Sequence, residues 1–596
     1  MQIYKAPLRD MRFVLHEVFG SADLAKLSSE VDLQPELIDS ILEEAGKLAE
    51  QVLLPLNASG DEEGCHLENG VVRTPKGFKE AYAKFRAGGW TALACDPEYG
   101  GQGLPESVNK FVEEMICSAN LSFSLYPGLS RGAYLALRHH GADELKQRYL
   151  PKIAEGTWSG TMCLTEAHCG TDLGMLRTKA VPQDDGSFAI SGNKIFISAG
   201  EHDLTENIIH LVLARLPDAP AGSKGISLFL VPKFLPTSDN KPGTRNGVLC
   251  TAIEHKMGIK ASATCQLTFE NATGWLVGAP HRGLAAMFTM MNSERLSVGI
   301  QGLAISEAAY QSAVVYARER LQGRSLAGAQ HPEIPADPII VHPDVRRMLL
   351  TMRAYAEGCR ALGAWVARAL DTLEYSKDPA LRQQAEDFTA LMTPIVKALF
   401  TDFGFEAANI GVQIHGGHGY IRDHGVEQYV RDARIAMIYE GTNGIQALDL
   451  VGRKLGAHNG RLLRGFFHPV ADFIAAHKTH PKLASMVGAL EKALGALQLA
   501  TATIAEAGLR DAEEAGAAAS EYLRLFGLVA LGFMWARMAK VALEALPTAH
   551  GEAAFYHAKL VTARFYMERI LPQAGALYLA IKSGKQAMMA FDEAAF

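Results

Sequence analysis

The sequence lacks the usual marks of a disulfide-stabilised, zinc-binding or nucleic-acid-binding protein. Its eight cysteines are scattered over 596 residues without a Cys-x-x-Cys pair, so neither a disulfide framework nor a zinc site is indicated. The net charge is -7 with both signs interspersed, and no block of Lys and Arg is present that could neutralise phosphates. We therefore expect no bound metal, no nucleic-acid partner and a reducing compartment.

A secretory signal and a long hydrophobic run are also missing. The first ten residues are polar, and Asp10 and Glu17 distinguish this segment from an acid-poor transit peptide. The longest apolar run, residues 525–536, is shorter than the ~20 residues that a membrane-spanning helix requires, and Arg524 and Arg537 flank it. We predict that this run is a buried helix, that the chain has no transmembrane segment, and that the protein is cytoplasmic.

The first half of the chain changes from a helical to an alternating pattern of apolar residues. Leu8 and Met11 begin a helical spacing that predicts an N-terminal docking helix within residues 1–34, and a helical domain follows over residues 35–156. Residues 157–279 alternate apolar and polar side chains between turn residues, which predicts an antiparallel β-domain. Since no helical segments separate these strands, a parallel Rossmann sheet is not expected.

Helical periodicity returns in the second half of the chain. Residues 280–455 predict a bundle of about four long helices. Residues 456–596 form an alanine-rich helical extension with expected breaks at Pro547 and Pro572. The predicted fold class is α+β, with an N-terminal helical domain, a central antiparallel β-domain, and a C-terminal helical bundle carrying an extra helical extension.

The strongest candidate for chemistry is Glu440, in the segment Met-Ile-Tyr-Glu-Gly-Thr-Asn-Gly-Ile-Gln. The apolar residues up to Ile438 would disfavour its charged form and raise its proton affinity toward the range of a general base. Gly441 leaves room for another molecule to approach, and the Thr442 hydroxyl can donate a hydrogen bond. Taken alone, the segment is also compatible with a solvated glutamate in a helix-terminating turn.

Two segments upstream give this turn a family resemblance. They read Gln413-Ile-His-Gly-Gly-His-Gly-Tyr and Tyr429-Val-Arg-Asp-Ala-Arg. In this order the three segments resemble the acyl-CoA dehydrogenase family, in which Gln-x-x-Gly-Gly-x-Gly, Arg-Asp-Ala and Tyr-Glu-Gly-Thr follow one another. The resemblance implies that Glu440 removes the α-proton of an acyl-CoA thioester while the β-hydrogen leaves as hydride to FAD, which gives a trans-2-enoyl-CoA.

A segment at the predicted entry to the β-domain resembles the family's flavin-binding loop. It reads Met162-Cys-Leu-Thr-Glu-Ala-His-Cys-Gly-Thr-Asp. The resemblance implies that Met162, Leu164 and Thr165 contact the flavin ring and that Thr171 contacts the CoA end of the substrate. Residues 167–169, Ala-His-Cys, replace the family's Pro-Gly-x, so the shape of this loop is expected to differ.

Further segments resemble flavin- and substrate-contacting parts of the family. In Lys194-Ile-Phe-Ile-Ser, the resemblance implies that Phe196 covers one edge of the flavin ring and that Ser198 bonds near its reactive nitrogen. Asn292-Ser-Glu-Arg resembles the lining of the acyl-CoA entrance, with Asn292 and Arg295 as substrate contacts, although a salt bridge is the alternative for Arg295. Some family members place the catalytic carboxylate at the Glu294 position, but we assign the base to Glu440.

The resemblance also implies contacts between subunits. Arg320 occupies the position of an arginine that reaches the FAD pyrophosphate of a neighbouring subunit, or else lies on a solvated helix face. Gln413, Gly416 and Gly417 would serve the adenosine end. Thr442 is assigned to the cofactor and Gly441 to the substrate. These contacts imply a homo-oligomer, and we expect a dimer rather than a tetramer.

The N-terminal segment and the long extension resemble a larger bacterial subgroup of the family. It includes fatty acyl-CoA and 3-methylmercaptopropionyl-CoA dehydrogenases, so β-oxidation of fatty acids is expected, with electrons passing to an electron-transfer flavoprotein. A methylthio-substituted short acyl group is an alternative substrate. An acyl-CoA oxidase, or a non-catalytic assembly scaffold that uses the extension as its partner surface, are the alternatives in function.

Overall fold

The computed structural model describes residues 2–21 and 34–596, so part of the predicted N-terminal segment, residues 22–33, lies outside the described residues. The chain divides into two compact units, each assembled from segments distant in sequence. We name them the β-unit and the helical unit. The β-unit comprises Lys47–Leu104 and Met115–Ser297, and the helical unit comprises Met1–Gly46, Pro105–Glu114 and Val298–Phe596.

The α-helices of the described residues are, in chain order, α1 Leu8–Arg12, α2 Pro35–Leu48, α3 Pro55–Glu63, α4 Phe78–Ala87, α5 Glu106–Ala119, α6 Leu121–His140, α7 Asp143–Ala154, α8 Gly283–Glu319, α9 Pro343–Tyr375, α10 Pro379–His415, α11 Gly417–Tyr420, α12 Glu427–Ala433, α13 Asn443–Asp449, α14 Arg461–His477, α15 Ala484–Arg510, α16 Ala512–Ala545, α17 Ala553–Phe565, α18 Gln573–Lys582 and α19 Gln586–Met589. Between residues 280 and 455, three helices are long (α8, α9 and α10), where about four were predicted. The difference arises after α10, because Gly416, with φ of 58°, ends that helix and short helices follow.

The strands of the described residues are β1 His66–Glu68, β2 Val71–Arg73, β3 Trp158–Cys163, β4 Lys179–Pro182, β5 Phe188–Ser198, β6 Asn207–Arg215, β7 Ile226–Pro232, β8 Phe234–Pro236, β9 Pro242–Arg245, β10 Val248–Ile253 and β11 Thr264–Val277. Seven of them form one sheet. The pairings β11-β5-β4-β6-β7-β11 close into a ring, with β10 and β3 attached at the outside. The ring encloses an apolar core that includes Ile190, Val212, Phe229 and Leu267.

The sheet is mainly antiparallel, as predicted, but two pairings of β6 are parallel. Strand β3 pairs with β6 from Trp158 opposite Asn207 to Cys163 opposite Val212, and β4 meets β6 in parallel at Lys179. Strand β3 directly follows helix α7 and has no hairpin partner beside it in the sequence. The alternating pattern of a strand shows which side chains face the core, but it does not show the direction of the partner strand.

A small hairpin, β1 with β2, interrupts the helical domain predicted for residues 35–156. Its turn consists of Asn69 and Gly70, with φ values of 51° and 77°. Asn-Gly is the preferred pair for a two-residue hairpin turn because both residues tolerate positive φ. The signal was therefore present in the sequence, although the flanking strands are only three residues long.

Helix α16 of the extension is the central buried helix of the helical unit. The apolar run at residues 525–536 is buried throughout, as predicted. Within the part of the chain that the structure describes, Ala512–Thr548 is the one helical stretch long and apolar enough to cross a membrane, and 83% of its most apolar window is buried inside the protein. The expected breaks are confirmed, because α16 ends at Ala545 before Pro547 and α18 begins after Pro572.

The N-terminal segment packs against the extension, a contact that the sequence pattern did not specify. The Phe13 ring lies 5.4 Å from the Phe555 ring and 6.2 Å from the Tyr556 ring. The Arg9 guanidinium donates to both carboxylate oxygens of Glu552, at 2.7 and 3.1 Å. The two ends of the chain are therefore joined within the helical unit.

Helices α8 and α10 approach so closely at two glycines that a larger residue is expected to destabilise the protein. A Cβ at Gly302 would lie 2.2 Å from the Phe400 carbonyl oxygen, and one at Gly404 would lie 2.6 Å from the Gly302 carbonyl oxygen. Because backbone cannot move aside as a side chain can, we expect Gly302→Ala to lower the free energy of unfolding by about 1–3 kcal/mol. Urea denaturation measures this loss.

Gly575→Ala in α18 is the matched control for that substitution. A Cβ at Gly575 meets no heavy atom within 4 Å. Since alanine favours a helix over glycine, this variant should be unchanged or stabilised by up to about 1 kcal/mol. Equal stability of the two variants would show that the α8–α10 contact tolerates the extra methyl group.

Candidate active site

Glu440 lies in a tight turn of the helical unit. A 3₁₀ turn, Arg434–Met437, precedes it, and helix α13 follows. Glu440 has a φ of 57° and Gly441 a φ of 82°, so two successive residues adopt the left-handed conformation. Glutamate rarely does so, since its Cβ crowds the following carbonyl oxygen at a cost of roughly 1–2 kcal/mol. Such strain persists only where the surrounding structure enforces it.

The environment of the Glu440 carboxylate is only partly as the sequence indicated. One carboxylate oxygen, Oε2, is inaccessible to solvent, although the residue as a whole is partly exposed. Ile438, which was expected to help strip water from the carboxylate, is 50% exposed. The Thr442 hydroxyl donates to the Met437 carbonyl oxygen at 3.3 Å. Ile438 therefore does not bury the carboxylate as the sequence indicated, although Oε2 is inaccessible to solvent.

A second group of predicted residues lies in the β-unit, where the end of β3 meets β5. The Ile195 amide donates to the Thr165 carbonyl oxygen at 2.9 Å, which joins the segment after β3 to the middle of β5. Leu164 is buried, whereas Met162, Thr165 and Ser198 are partly exposed. This hydrogen bond joins the two chain segments that carry the five residues predicted to contact the flavin ring: Met162, Leu164 and Thr165 on one, and Phe196 and Ser198 on the other.

Phe196 has an unusual conformation for a strand residue. Its φ is 60°, and its side chain is 59% exposed. A bulky aromatic residue with positive φ is strained, and such outliers concentrate at binding sites. The exposed ring offers an apolar surface on which a planar ligand can stack. This geometry fits a flavin ring.

A buried ion pair that the sequence analysis did not single out fixes this loop. Lys194 Nζ donates to Glu166 Oε1 and to the Leu164 carbonyl oxygen, both at 2.9 Å. Glu166 also accepts from the Arg177 amide at 2.7 Å and from the Thr178 hydroxyl at 2.7 Å. Burial raises the pKa of Glu166, but the Lys194 charge and these hydrogen bonds outweigh it and lower the pKa to about 2. The signal in the sequence that could have revealed this ion pair is Lys194 itself, a lysine within a predicted strand.

Glu166, His168 and Cys169 also bring three potential metal ligands within 4.8 Å of one another. However, the Glu166 carboxylate already bonds Lys194. His168 Nε2 lies 2.9 Å from the Met175 carbonyl oxygen, so this nitrogen carries the proton and cannot also bind a metal. The group therefore orders the loop that replaces the family's Pro-Gly-x, and the absence of a metal stays a prediction.

The predicted substrate contacts on α8 lie in its β-unit portion. Arg295 is buried, donates to Asn292 Oδ1 at 3.3 Å, and lies 5.8 Å from the Phe288 ring centroid. Glu294 is buried as well, and a Cβ added at Gly132 would lie 2.6 Å from its Oε1. The Glu294 carboxylate is thus pressed against helix α6. Thr171, the remaining predicted CoA contact, lies exposed in the loop after β3.

The residues predicted to contact FAD across subunits form an exposed group in the helical unit. Arg320, Gln413, Gly416 and Gly417 are all exposed. The ends of α8 and α10 meet beside them, because the Tyr316 ring stacks on the His415 ring at 4.4 Å and its hydroxyl lies 2.9 Å from His418 Nδ1. Tyr316, His415 and His418 were not singled out from the sequence.

Four family models match successive parts of the chain. They are described as the acyl-CoA dehydrogenase N-terminal domain over residues 36–157, the middle domain over residues 161–272 and the C-terminal domain over residues 281–455. An acetyl-CoA dehydrogenase C-terminal-like model matches residues 466–592. The four models together cover both units and the extension.

Proteins and structures similar to this chain extend over nearly its full length. It is 44% identical to 3-methylmercaptopropionyl-CoA dehydrogenase of Ruegeria pomeroyi, over 96% of this chain and 97% of that protein. It is 35% identical to the broad-specificity linear acyl-CoA dehydrogenase FadE5 of Mycobacterium tuberculosis, over 100% of both chains. The crystal structure of Caenorhabditis elegans ACDH-11 in complex with C11-CoA has the same fold, with a TM-score of 0.77 at 20% identity, over 96% of this chain and 92% of that chain.

Proposed function

The chain belongs to the acyl-CoA dehydrogenase family, and on that premise we propose that Glu440 is the base that removes the α-proton of its acyl-CoA substrate. The protein is an oxidoreductase that acts on acyl-CoA thioesters by FAD-dependent α,β-dehydrogenation. The observation that carries the assignment is the left-handed turn, which holds a partly exposed carboxylate next to Gly441.

The chemistry divides between the cofactor and the residues of the chain. When bound, FAD supplies the acceptor for the β-hydride. Glu440 accepts the α-proton, and Gly441 leaves room for the thioester to approach the carboxylate. A backbone amide of this turn is the donor that we assign to the thioester carbonyl, where it stabilises the negative charge that develops as the proton leaves.

We assign the remaining predicted residues to three surfaces. The flavin ring contacts Met162, Leu164, Thr165, Phe196 and Ser198, a set supported by the exposed Phe196 ring beside the Thr165 backbone. The pyrophosphate and adenosine of FAD contact Arg320, Gln413, Gly416 and Gly417 of a neighbouring subunit, supported by the exposure of all four, and Thr442 completes the cofactor contacts. The acyl-CoA substrate contacts Thr171, Asn292, Arg295 and Gly441.

The proposed substrate is a straight-chain acyl-CoA of fatty acid β-oxidation, supported by the similarity to a broad-specificity linear acyl-CoA dehydrogenase. A second candidate is 3-methylmercaptopropionyl-CoA, which the 44% identity to a dehydrogenase of that name favours. We further propose a homodimer in the bacterial cytoplasm that passes its electrons to an electron-transfer flavoprotein. An acyl-CoA oxidase would instead produce peroxide in air.

Anaerobic mixing of the purified flavoprotein with a panel of acyl-CoA thioesters tests this function. We expect the flavin absorbance to bleach with some members, and the panel extends from short straight and branched chains through long chains to 3-methylmercaptopropionyl-CoA. The free acids serve as controls, because they lack the activated thioester. If bound FAD is present and no thioester bleaches it, dehydrogenation is ruled out for this panel and the scaffold alternative gains support.

A further inference from the structure

We propose that Lys397, in the middle of helix α10, is a positioning residue that holds the Glu440 turn in its reactive conformation. This inference rests on the proposed role of Glu440 as the base. Lys397 lies 43 positions before Glu440 in the sequence and is fully buried within the helical unit. It was not among the residues predicted from the sequence.

The carbonyl groups of the turn are the points at which it is held. The Gly441 carbonyl oxygen accepts hydrogen bonds from Lys397 Nζ at 3.0 Å and from Gln446 Nε2 at 2.9 Å. The same Gln446 nitrogen lies 3.2 Å from the Glu440 carbonyl oxygen. These carbonyls point where they do only while Glu440 and Gly441 stay left-handed. The hydrogen bonds therefore offset the cost of the strained backbone.

Lys397 is the stronger of the two anchors because its donor is charged. A buried ammonium requires hydrogen-bond acceptors, and charge-assisted hydrogen bonds are roughly twice as strong as neutral ones. Besides the Gly441 carbonyl, Lys397 Nζ bonds Asn443 Oδ1 at 2.9 Å. One ammonium group thus binds the residue immediately after Glu440 and the first residue of helix α13.

Helix α10 in turn fixes the orientation of the Asn443 amide. Asn443 Nδ2 donates to Asp402 Oδ1 at 2.7 Å and to Thr401 Oγ1 at 3.0 Å. Lys397 and Thr401 are four residues apart and therefore lie on one face of α10, and Asp402 reaches the same Asn443 amide from the side of that face. This face and the Asn443 amide form a rigid support under the turn.

Loss of the ammonium would leave the Gly441 carbonyl held by Gln446 alone and allow Glu440 to relax toward right-handed backbone angles. The carboxylate would then move away from the α-proton that it must remove. A displacement of about 1 Å in a reacting group can lower a rate about 10²-fold. Lys397 binds the turn through Gly441 and Asn443, whereas most of the residues proposed to contact FAD lie outside this turn, so most of the FAD-binding capacity should survive its replacement.

Lys397→Met tests the proposal, since methionine keeps the unbranched shape and most of the length of the side chain and removes the charge. We expect the rate of flavin reduction at saturating acyl-CoA to fall about 10- to 100-fold. FAD content should fall much less than the rate, because most of the proposed FAD contacts lie outside the turn. The isotope effect from α-deuterated substrate should increase, because proton removal becomes more strongly rate-limiting. A purely structural role for Lys397 would not change the isotope effect.

Lys559→Met is the matched control, because Lys559 is also fully buried in the helical unit but binds Asp10 and Glu357. We expect this variant to lose stability while its rate of flavin reduction stays at the wild-type value. If Lys397→Met does not fold, Asn443→Ala removes a Lys397 acceptor and should lower the rate by a smaller factor.

The outcomes separate this inference from the proposed function. Failure of every acyl-CoA to bleach the wild-type flavin would overturn the function itself. If the wild-type flavin bleaches but the rates of Lys397→Met and Asn443→Ala are unchanged, only the positioning role is overturned. Equal rate losses in Lys397→Met and Lys559→Met would also overturn it, since both would then reflect a general loss of structure.

Discussion

Glu440→Gln is expected to abolish turnover while the protein keeps its FAD. Glutamine has nearly the same size and still forms hydrogen bonds, but its amide cannot accept the α-proton at neutral pH. General bases commonly contribute about 10²- to 10⁴-fold to a rate, and we expect a loss in that range. Stopped-flow bleaching of the flavin by saturating acyl-CoA measures the rate, and the flavin absorbance per protein measures FAD content.

Glu294→Gln is the control, since it makes the same chemical change at the other carboxylate that the family resemblance raises. The Glu294 carboxylate is buried against Gly132 of helix α6, a packing position that suits a structural group. This variant should retain most of its rate of flavin reduction. If Glu440→Gln kept a near-normal rate of flavin reduction and Glu294→Gln lost most of it, the base would be Glu294.

The sequence was sufficient to predict the fold class because the period of its apolar residues changes clearly. The spacing of apolar residues changes from helical to alternating near residue 157 and returns to helical near residue 280. These two changes separate the β-domain from the helical regions. The parallel direction of β3 was not predictable in the same way. It depends on where α7 delivers the chain relative to β6, which is a property of tertiary packing.

The candidate site was predictable where its residues are contiguous in the sequence. Glu440, Gly441 and Thr442 form one motif, and Phe196 and Ser198 lie in another. Lys397 is different. From the sequence alone, a single lysine in a long helix is interpreted as a residue on the solvent-exposed face. Only the folded chain shows that its ammonium group lies beneath the Gly441 carbonyl. Supporting residues of this kind have no local sequence signal.

The second large effect is expected at Arg360, which lies at the centre of a buried charge network in the helical unit. Its Nη2 lies 2.6 Å from Glu114 Oε1 and 2.7 Å from Glu307 Oε2, and its Nη1 bonds Asp10. Lys559 of the extension bonds the same Asp10. The network therefore links helices α1, α5, α8 and α9 to helix α17 of the extension.

Arg360→Met is expected to lower the free energy of unfolding by about 3–5 kcal/mol. The network contains three cations and four carboxylates, and loss of the guanidinium leaves buried carboxylates without a counter-charge. Its members are Arg353, Arg360, Lys559, Asp10, Glu114, Glu307 and Glu357. Urea denaturation at neutral pH measures the loss.

Arg347→Met on the same helix provides the comparison. Arg347 is about half exposed and pairs with Asp344 at 2.8 Å. An exposed ion pair contributes about 0–1 kcal/mol, so this variant should remain close to the wild type. Equal losses at Arg347 and Arg360 would mean that burial of the network has no energetic consequence.

The cost of Arg360→Met should also depend on pH, because Glu114 titrates near neutrality. Burial raises the pKa of Glu114 from 4.5 to about 7, although Arg360 opposes the shift. A carboxyl whose pKa is raised by folding stabilises the protein below its unfolded pKa, and this contribution is lost as the pH rises through the folded pKa.

Without Arg360 the folded pKa of Glu114 rises further, so the variant keeps the Glu114 proton above pH 7, where the wild type releases it. The stability deficit of Arg360→Met should therefore be larger at about pH 8 than at about pH 6. A deficit independent of pH would show that Glu114 does not carry the exchanged proton.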